Sequence, residues 1–554
     1  MALLLDLFSY VSIILHGLTI TAQAATLGGI FFLLLLARPL GPLLGAAGPG
    51  IARMAARTAG WAALCLVASA AINLALQCAV LVATVEISLV RALSAAFALA
   101  GAVKIAAAAL LAVLLLRRGA TPQASILIAL GVIVLAAATL TTHAAARLEA
   151  RAPLLAISAL HQIGAAIWIG GLPCFLRALT RIDNGSAWRI IGARFSRMAM
   201  AGVAVIVVSG VLMSLNYIGS WQGFYGTAYG VMVGAKIAML LMLLGLGASN
   251  FFVVERLRGN TATSINRLRR FTEVEIGIGL TIFFAAASLT SVAPAIDVGP
   301  QQVTWAEIAE RNTPRWPSLA SPAHDMLAIP ALQAKLDAEA KRNAETGHAA
   351  HMPAFVPGAG ELPPRNAADI AWSEYNHHWS GIFLVVIGLL AVVERAGLRV
   401  ARHWPLVFLG LAGFLLLRSD PEVWPLGQIG FWESLRDVEV LQHHAAALLV
   451  AVFAVFEWRV RADGLGNSRA ALVFPIVSAL GGALLLTHSH AIANLKDQLL
   501  IELSHTPLAI AGIATGWARW LELRLDPPGN RIAGWIWPPC LLLVGLILLD
   551  YREA

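Results

Sequence analysis

Charge is scarce in this sequence: only 13% of its 554 residues are Asp, Glu, Lys or Arg, whereas 59% are hydrophobic and mean hydropathy is +0.76. A soluble chain of this length would divide into three or four domains at about 150 residues each, but it would need a far more charged surface. A soluble enzyme with a single anchor is therefore excluded. Cysteine is sparse too. Cys65, Cys78, Cys174 and Cys540 form no C-x-x-C pair and lie inside apolar runs, so neither a disulfide framework nor a thiolate zinc site is indicated. Also missing are a Walker phosphate loop, a Cys-Pro-Cys transport motif and an aspartyl-phosphorylation sequence, which argues against nucleotide-driven pumping. The net charge of +8 could suggest a nucleic-acid partner. In so apolar a chain, that excess instead records which loops face the cytoplasm.

What the sequence has in quantity is the long apolar run, and about 20 such residues cross a bilayer. Eight runs lie near 9–36, 59–83, 92–116, 124–142, 154–176, 199–218, 230–254 and 273–294. Six more lie near 379–394, 404–417, 441–458, 470–488, 499–518 and 534–550. The first has no basic leader and no small-residue cleavage site, so it reads as a retained helix. The expected fold is an all-α polytopic membrane protein of fourteen spans, arranged as eight plus six. Its domains would be an eight-helix unit at 1–294, an insert at 295–376 and a six-helix unit at 377–554.

Loop charges set the orientation. The loops after spans 1, 3, 5, 7, 9, 11 and 13 hold 24 Lys and Arg, while the opposite short loops hold seven: Arg91, Arg147, Arg151, Arg418, Arg436, Lys496 and Arg552. By the positive-inside rule both termini lie outside, which requires an even number of spans. For a bacterial inner membrane the insert is then periplasmic. It carries a charged helical stretch, ALQAKLDAEAKRNAE, and the sequence HAAHM.

Two patterns recur four spans apart. Lys104 in span 3 and Lys236 in span 7 each precede Ile-Ala and a long apolar stretch. His16 precedes Ala24-Ala25 and Gly28-Gly29 in span 1, as His161 precedes Ala165-Ala166 and Gly170-Gly171 in span 5. An even offset preserves helix direction, so spans 1–4 and 5–8 are expected to be parallel four-helix repeats. A lysine inside a bilayer normally faces the bundle interior, although Lys236, near the outer end, could also snorkel.

The histidines fall on one side. Outside the insert, His16, His143, His161, His377, His378, His443, His444, His488, His490 and His505 all sit in or beside outer half-spans, and only His403 is cytoplasmic. A single such residue is usually a hydrogen-bonded or interfacial histidine, but ten at one level point to metal or haem chemistry. His16 and His161 should reach similar depth and share a site. His377, His378, His443, His444, His488, His490 and His505 would cluster on four outer helix ends. In the insert, His348, His351 and Met352 occupy i, i+3 and i+4, an N/N/S set suited to copper, and His324 with Met326 forms a weaker version.

The run HQIGAAIWIGGLP, from His161 to Pro173, together with the His16 span and the two lysine-bearing spans, resembles the copper-resistance protein D (CopD, PcoD) family over roughly the first 295 residues. That resemblance implies an eight-span inner-membrane unit that handles copper, with a small periplasmic carrier of the CopC type as partner. The chain departs from the family in its six further histidine-rich spans and in having no recognisable fused carrier. A copper-handling protein mediating uptake or transfer is thus expected, more a transporter or metal-binding membrane protein than an enzyme. The alternative is a haem b electron-transfer protein, with axial histidines on facing helices and Lys236 or Arg418 near the propionates. Ligands confined to one depth count against two haems crossing the membrane.

Overall fold

A computed structural model describes residues 2–323 and 367–553, apart from 86, 148, 183, 300, 301, 421, 422, 428, 436, 437 and 488–494. Among the described residues the regular elements are helices, and the only strand-like feature is an isolated bridge between Val423 and Ile429. Each of the fourteen apolar runs coincides with a helix. Twelve are long and apolar enough to cross a membrane: spans 1 (Tyr10–Leu44), 2 (Ala47–Val85), 3 (Ala96–Arg118), 5 (Arg151–Leu179), 6 (Gly185–Tyr217), 7 (Ala228–Gly259), 8 (Asn266–Leu289), 9 (Ala367–Arg395), 10 (Arg399–Arg418), 11 (Val440–Ala462), 13 (Leu499–Arg524) and 14 (Gly529–Leu549). Spans 4 (Ala124–Thr139) and 12 (Arg469–Leu485) are shorter apolar helices. The chain is a multi-pass α-helical membrane protein.

It divides into two compact units, one built on residues 1–224 and 232–300, the other on 225–231, 301–485 and 490–554. In the first, span 1 is the central element, packing against spans 2, 4, 5 and 8, while spans 2, 3 and 4 pack in sequence and span 5 pairs with span 6. Small residues make this approach close. A methyl added at Gly28 would overlap the backbone of Gly170 and the carbonyl of Ala166, and one added at Gly170 would overlap the carbonyl of Ala24. The spacing is the same on both helices, small-x-x-x-small at Ala24/Gly28 and Ala166/Gly170, a pattern that lets membrane helices meet backbone to backbone. Gln23 and Gln162, both before the crossing, are hydrogen bonded, so spans 1 and 5 run parallel. Span 5 breaks at this crossing. Its helix stops at Trp168 and resumes at Leu172, because Pro173 cannot donate a backbone hydrogen bond. Span 1 also leaves α geometry just beyond, forming a π-turn at Leu33–Ala37. Exposed Leu64, Ile72, Val103, Leu110, Val208 and Val211 give spans 2, 3 and 6 apolar outer faces suited to lipid.

In the second unit, span 9 packs on spans 10 and 14, span 14 on span 13, span 13 on span 12, and span 10 on span 11. Its core holds Ile387, Trp404, Phe474, Trp537 and Leu541. A short helix, Trp305–Arg311, is capped at Thr304, whose side chain and that of Glu307 satisfy each other's backbone N–H. Arg311 donates to the carbonyls of Arg552 and Glu553, and Arg552 donates to the Thr313 carbonyl at 2.8 Å. Burial pulls the Arg311 guanidinium below its usual value, and neighbouring Tyr551 and Glu553 oppose that pull. The start of the insert and the segment after span 14 therefore share one end of this unit. In the first unit the same grouping appears: Arg147, after span 4, pairs with Asp297, after span 8, at 2.7 Å. At the opposite end Arg38 binds the carbonyls of Ala120 and Pro122. These contacts group alternate loops, as successive crossings require.

Candidate functional site

In the first unit, His161 Nδ1 lies 3.0 Å from Ser209 Oγ on span 6. Ser209 is buried and already donates its single hydroxyl hydrogen to the carbonyl of Val205 at 2.5 Å. It must therefore accept from His161 Nδ1–H, which leaves Nε2 carrying the lone pair, the form a metal requires. The orientation follows from the hydrogen-bond network. Below the imidazole, Gln162 links to Gln23 at 2.8 Å and reaches Ser158 and Thr139, making a polar belt across spans 1, 4 and 5. Lys236 lies within electrostatic reach of His161, and Lys104 is buried on span 3. His16 is half-buried on span 1. Measured from the Gly28/Gly170 crossing, His16 is twelve residues away and His161 nine, a difference of about 4.5 Å along the helices. The two histidines are thus close to one depth, one helical turn short of equivalence.

The second unit separates the histidines expected to cluster. His377 and His505 gather around Tyr551: the His377 ring stacks on it with centroids 3.8 Å apart, and His505 meets it edge-on at 5.9 Å. Each donates Nδ1–H to the carbonyl one turn back, His377 to Ser373 at 2.8 Å and His505 to Ile501 at 2.9 Å. Tyr551 donates to Glu553 at 2.8 Å, and Ser373 also binds that carboxylate. His378, by contrast, spends both nitrogens on backbone, accepting from Ser318 N–H at 2.8 Å and donating to the Tyr551 carbonyl at 2.9 Å. In this geometry it is a clamp and offers no lone pair to a metal. On span 11, His443 pairs with Asp420 at 2.8 Å, while His444 donates Nδ1–H to the Val440 carbonyl at 2.9 Å. The buried Nε2 of His444 has no hydrogen-bond partner. Arg418 is occupied by the rings of Trp372 and Tyr375, at 5.0 and 5.3 Å. His324, Met326, His348, His351, Met352, His488 and His490 lie outside the described residues. Among the described residues, no group of three His, Cys, Asp or Glu converges closely enough to hold a metal ion.

Three features are missing from the histidine map. One is the Tyr551–Glu553 pair, inconspicuous in sequence because it follows the final span. A second is a charge network at the Arg395 end of the second unit. Arg461 bridges Glu394 and Glu457, both at 2.8 Å, and lies 4.5 Å from the Trp404 ring centroid. Arg395 and Arg519 hold Glu522 at 2.7 and 2.6 Å, and Trp537 donates to the same carboxylate. The third is Glu275 on span 8, buried and bonded to Asn250 of span 7 at 2.7 Å. A lone acidic letter near a loop gives little sign that its side chain turns inward.

Residues 190–289, from span 6 to span 8, match the family described as copper resistance protein D. The first unit carries a CopD domain. A copper transport protein, CutJ, of Bacillus subtilis (strain 168) is 31% identical over 171 residues, covering 30% of this chain and 30% of that protein. The copper resistance protein D of Pseudomonas syringae pv. tomato is 28% identical over 152 residues, covering 25% of this chain and 49% of its own. The chain thus spans half or less of the length of these relatives. No solved structure matches it.

Proposed function

We propose that this CopD-domain protein is a copper-handling protein of the bacterial inner membrane, which takes copper from the periplasm at outer-end histidines and mediates its uptake or transfer. The observation that carries the reading is the CopD match over residues 190–289, the segment that supplies Ser209 and Lys236 around His161. The His161 Nε2 lone pair is the first ligand, and His16, at nearly the same depth, is the second. Fourteen spans with both termini in the periplasm would place these groups, and the insert with His348, His351 and Met352, on the side from which a periplasmic carrier of the CopC type could deliver the ion.

Copper bound per purified protein, measured by elemental analysis after gel filtration, tests this directly. His161→Ala is expected to lose at least one copper equivalent and to lower copper accumulation in cells expressing the protein. Full retention of copper in the His16→Ala/His161→Ala double variant would reject the shared site. The haem b reading is kept for the second unit by one observation: His377, His444 and His505 each donate Nδ1–H to a carbonyl one turn back, the device that orients imidazoles toward a metal. A Soret band in the purified protein, lost with His377→Ala or His505→Ala, would establish it.

A further inference from the structure

Glu275 has an environment in which a fixed negative charge does not persist. It is 3% exposed, lies about 14 Å along span 8 from its Asn266 end, and accepts a 2.7 Å hydrogen bond from the neutral amide of Asn250. Among the described residues no cation pairs with it, because the neighbouring charges are otherwise engaged. Arg270 binds Glu273, Arg258 binds Glu255, and Arg267 binds Ser249. From the elements packed on span 8, Arg177 binds Thr58 and Arg38 binds loop carbonyls; the remaining titratable group on the Arg177 helix is the neutral thiol of Cys174. Lys236 is about 21 Å from Asn250 along span 7. An ionised carboxylate held by one amide would cost several kcal/mol in such surroundings, so the group must carry either a proton or a cation. Space for one exists. A methyl added at Gly247 would meet only Glu275 Oε1, at 4.0 Å, and Asn250 Oδ1 is buried with no hydrogen-bond partner. Glu275 Oε1 thus borders the open side of Gly247, and Asn250 Oδ1, on the same amide as the donating nitrogen, is a spare acceptor close by.

We propose that Glu275 is an exchange site, at which a proton and the transported cation alternate. The carboxylic acid gives up its proton to water as the cation arrives, the carboxylate and Asn250 Oδ1 hold the ion, and reprotonation releases it. The proton lost offsets one unit of the ion's charge, so the buried site avoids a bare negative charge at every stage. This rests on the copper reading above, and it gives that reading a coupling ion and an inner-end station to follow the outer imidazoles.

Dicyclohexylcarbodiimide, an apolar reagent that attacks protonated carboxyls buried in membranes, reads the proton directly. On the full-length protein in vesicles at pH 6, peptide mass spectrometry is expected to find the adduct on Glu275. The Glu275→Gln variant, close in shape and able to keep the Asn250 bond, lacks it, and any adduct at Glu502, another buried carboxyl, serves as internal reference. With copper at ten times its dissociation constant, mass action leaves about one site in ten vacant, so the Glu275 yield should fall about tenfold while the Glu502 yield holds. Absence of the Glu275 adduct, or an unchanged yield while the same sample retains copper, would overturn exchange at Glu275 and leave the copper reading standing. A sample that retains no copper rejects the copper reading, and the exchange proposal with it.

Discussion

At the scale of single residues, the hydrogen on Ser209 decides what His161 can do. Because that hydrogen is committed to Val205, the imidazole donates from Nδ1 and presents Nε2. Ser209→Ala removes this acceptor without disturbing helix propensity much and leaves the imidazole only the Ile206 carbonyl, so its orientation and tautomer preference weaken. Copper affinity at this site should fall about 10- to 100-fold, the usual cost of losing an outer-shell partner. Equilibrium titration with a competing chelator measures it, and Ser209→Thr, which restores the hydroxyl, should recover most of the loss. Equal affinity in all three proteins would show that Ser209 plays no orienting part. The His161 signal was legible in the sequence, where the Trp and Gly-Gly that follow mark a motif. The Ser209 partner was not. One serine in an apolar helix has no distinguishing neighbour, and its pairing depends on how spans 5 and 6 are rotated.

At the scale of elements, the meeting of spans 1 and 5 is the contact most sensitive to volume. A β-carbon at Gly28 faces backbone atoms of Gly170 and Ala166, which cannot rotate out of the way as a side chain could. Gly28→Ala should therefore separate the helices and cost about 1–3 kcal/mol, seen as a lower midpoint in thermal unfolding in detergent. Gly131→Ala on span 4 is the matched comparison. There the added methyl touches one methyl of Leu27 at 3.4 Å, and the change should be neutral or gain up to about 1 kcal/mol of helix propensity. Equal midpoints for the two variants would mean that the crossing tolerates expansion. The repeated Ala and Gly positions had suggested related spans, and the contact pairs those small residues. It pairs Gly28 with Gly170, however, which shifts the register by three residues from an alignment of His16 with His161. Such a shift is invisible to pattern matching because alanine-rich helices align almost equally well at neighbouring turns.

For the whole molecule, hydropathy made the apolar helices legible, twelve of them long enough to cross a membrane and two shorter, because a lipid-facing surface forces apolar residues into each crossing. The buried charges were not legible for the converse reason: sequence alone does not distinguish an arginine that faces water from one folded inward. Arg395, Arg461 and Arg519 were counted among the loop charges that orient the chain, yet the structure ties them to Glu394, Glu457 and Glu522, with Gly534 leaving the room that Glu522 and Arg395 fill. Those three arginines have a packing role as well as a topological one. Orientation is correspondingly better specified in the first half, where inner loops hold 15 basic residues against three in the outer ones, than in the second, where the ratio is nine to four. The second half is therefore where orientation is tested most severely. In a background with the native cysteines replaced, Thr313→Cys in the docked start of the insert should react with a membrane-impermeant maleimide in intact spheroplasts, as should Thr141→Cys after span 4. Thr121→Cys after span 3 and Asp463→Cys after span 11 should react only after permeabilisation. Both halves then share the orientation read from their charges. Labelling of Asp463→Cys without permeabilisation, with Thr121→Cys still protected, would mean that the second half is inverted, and its histidines would then face the cytoplasm, away from copper arriving through the periplasm.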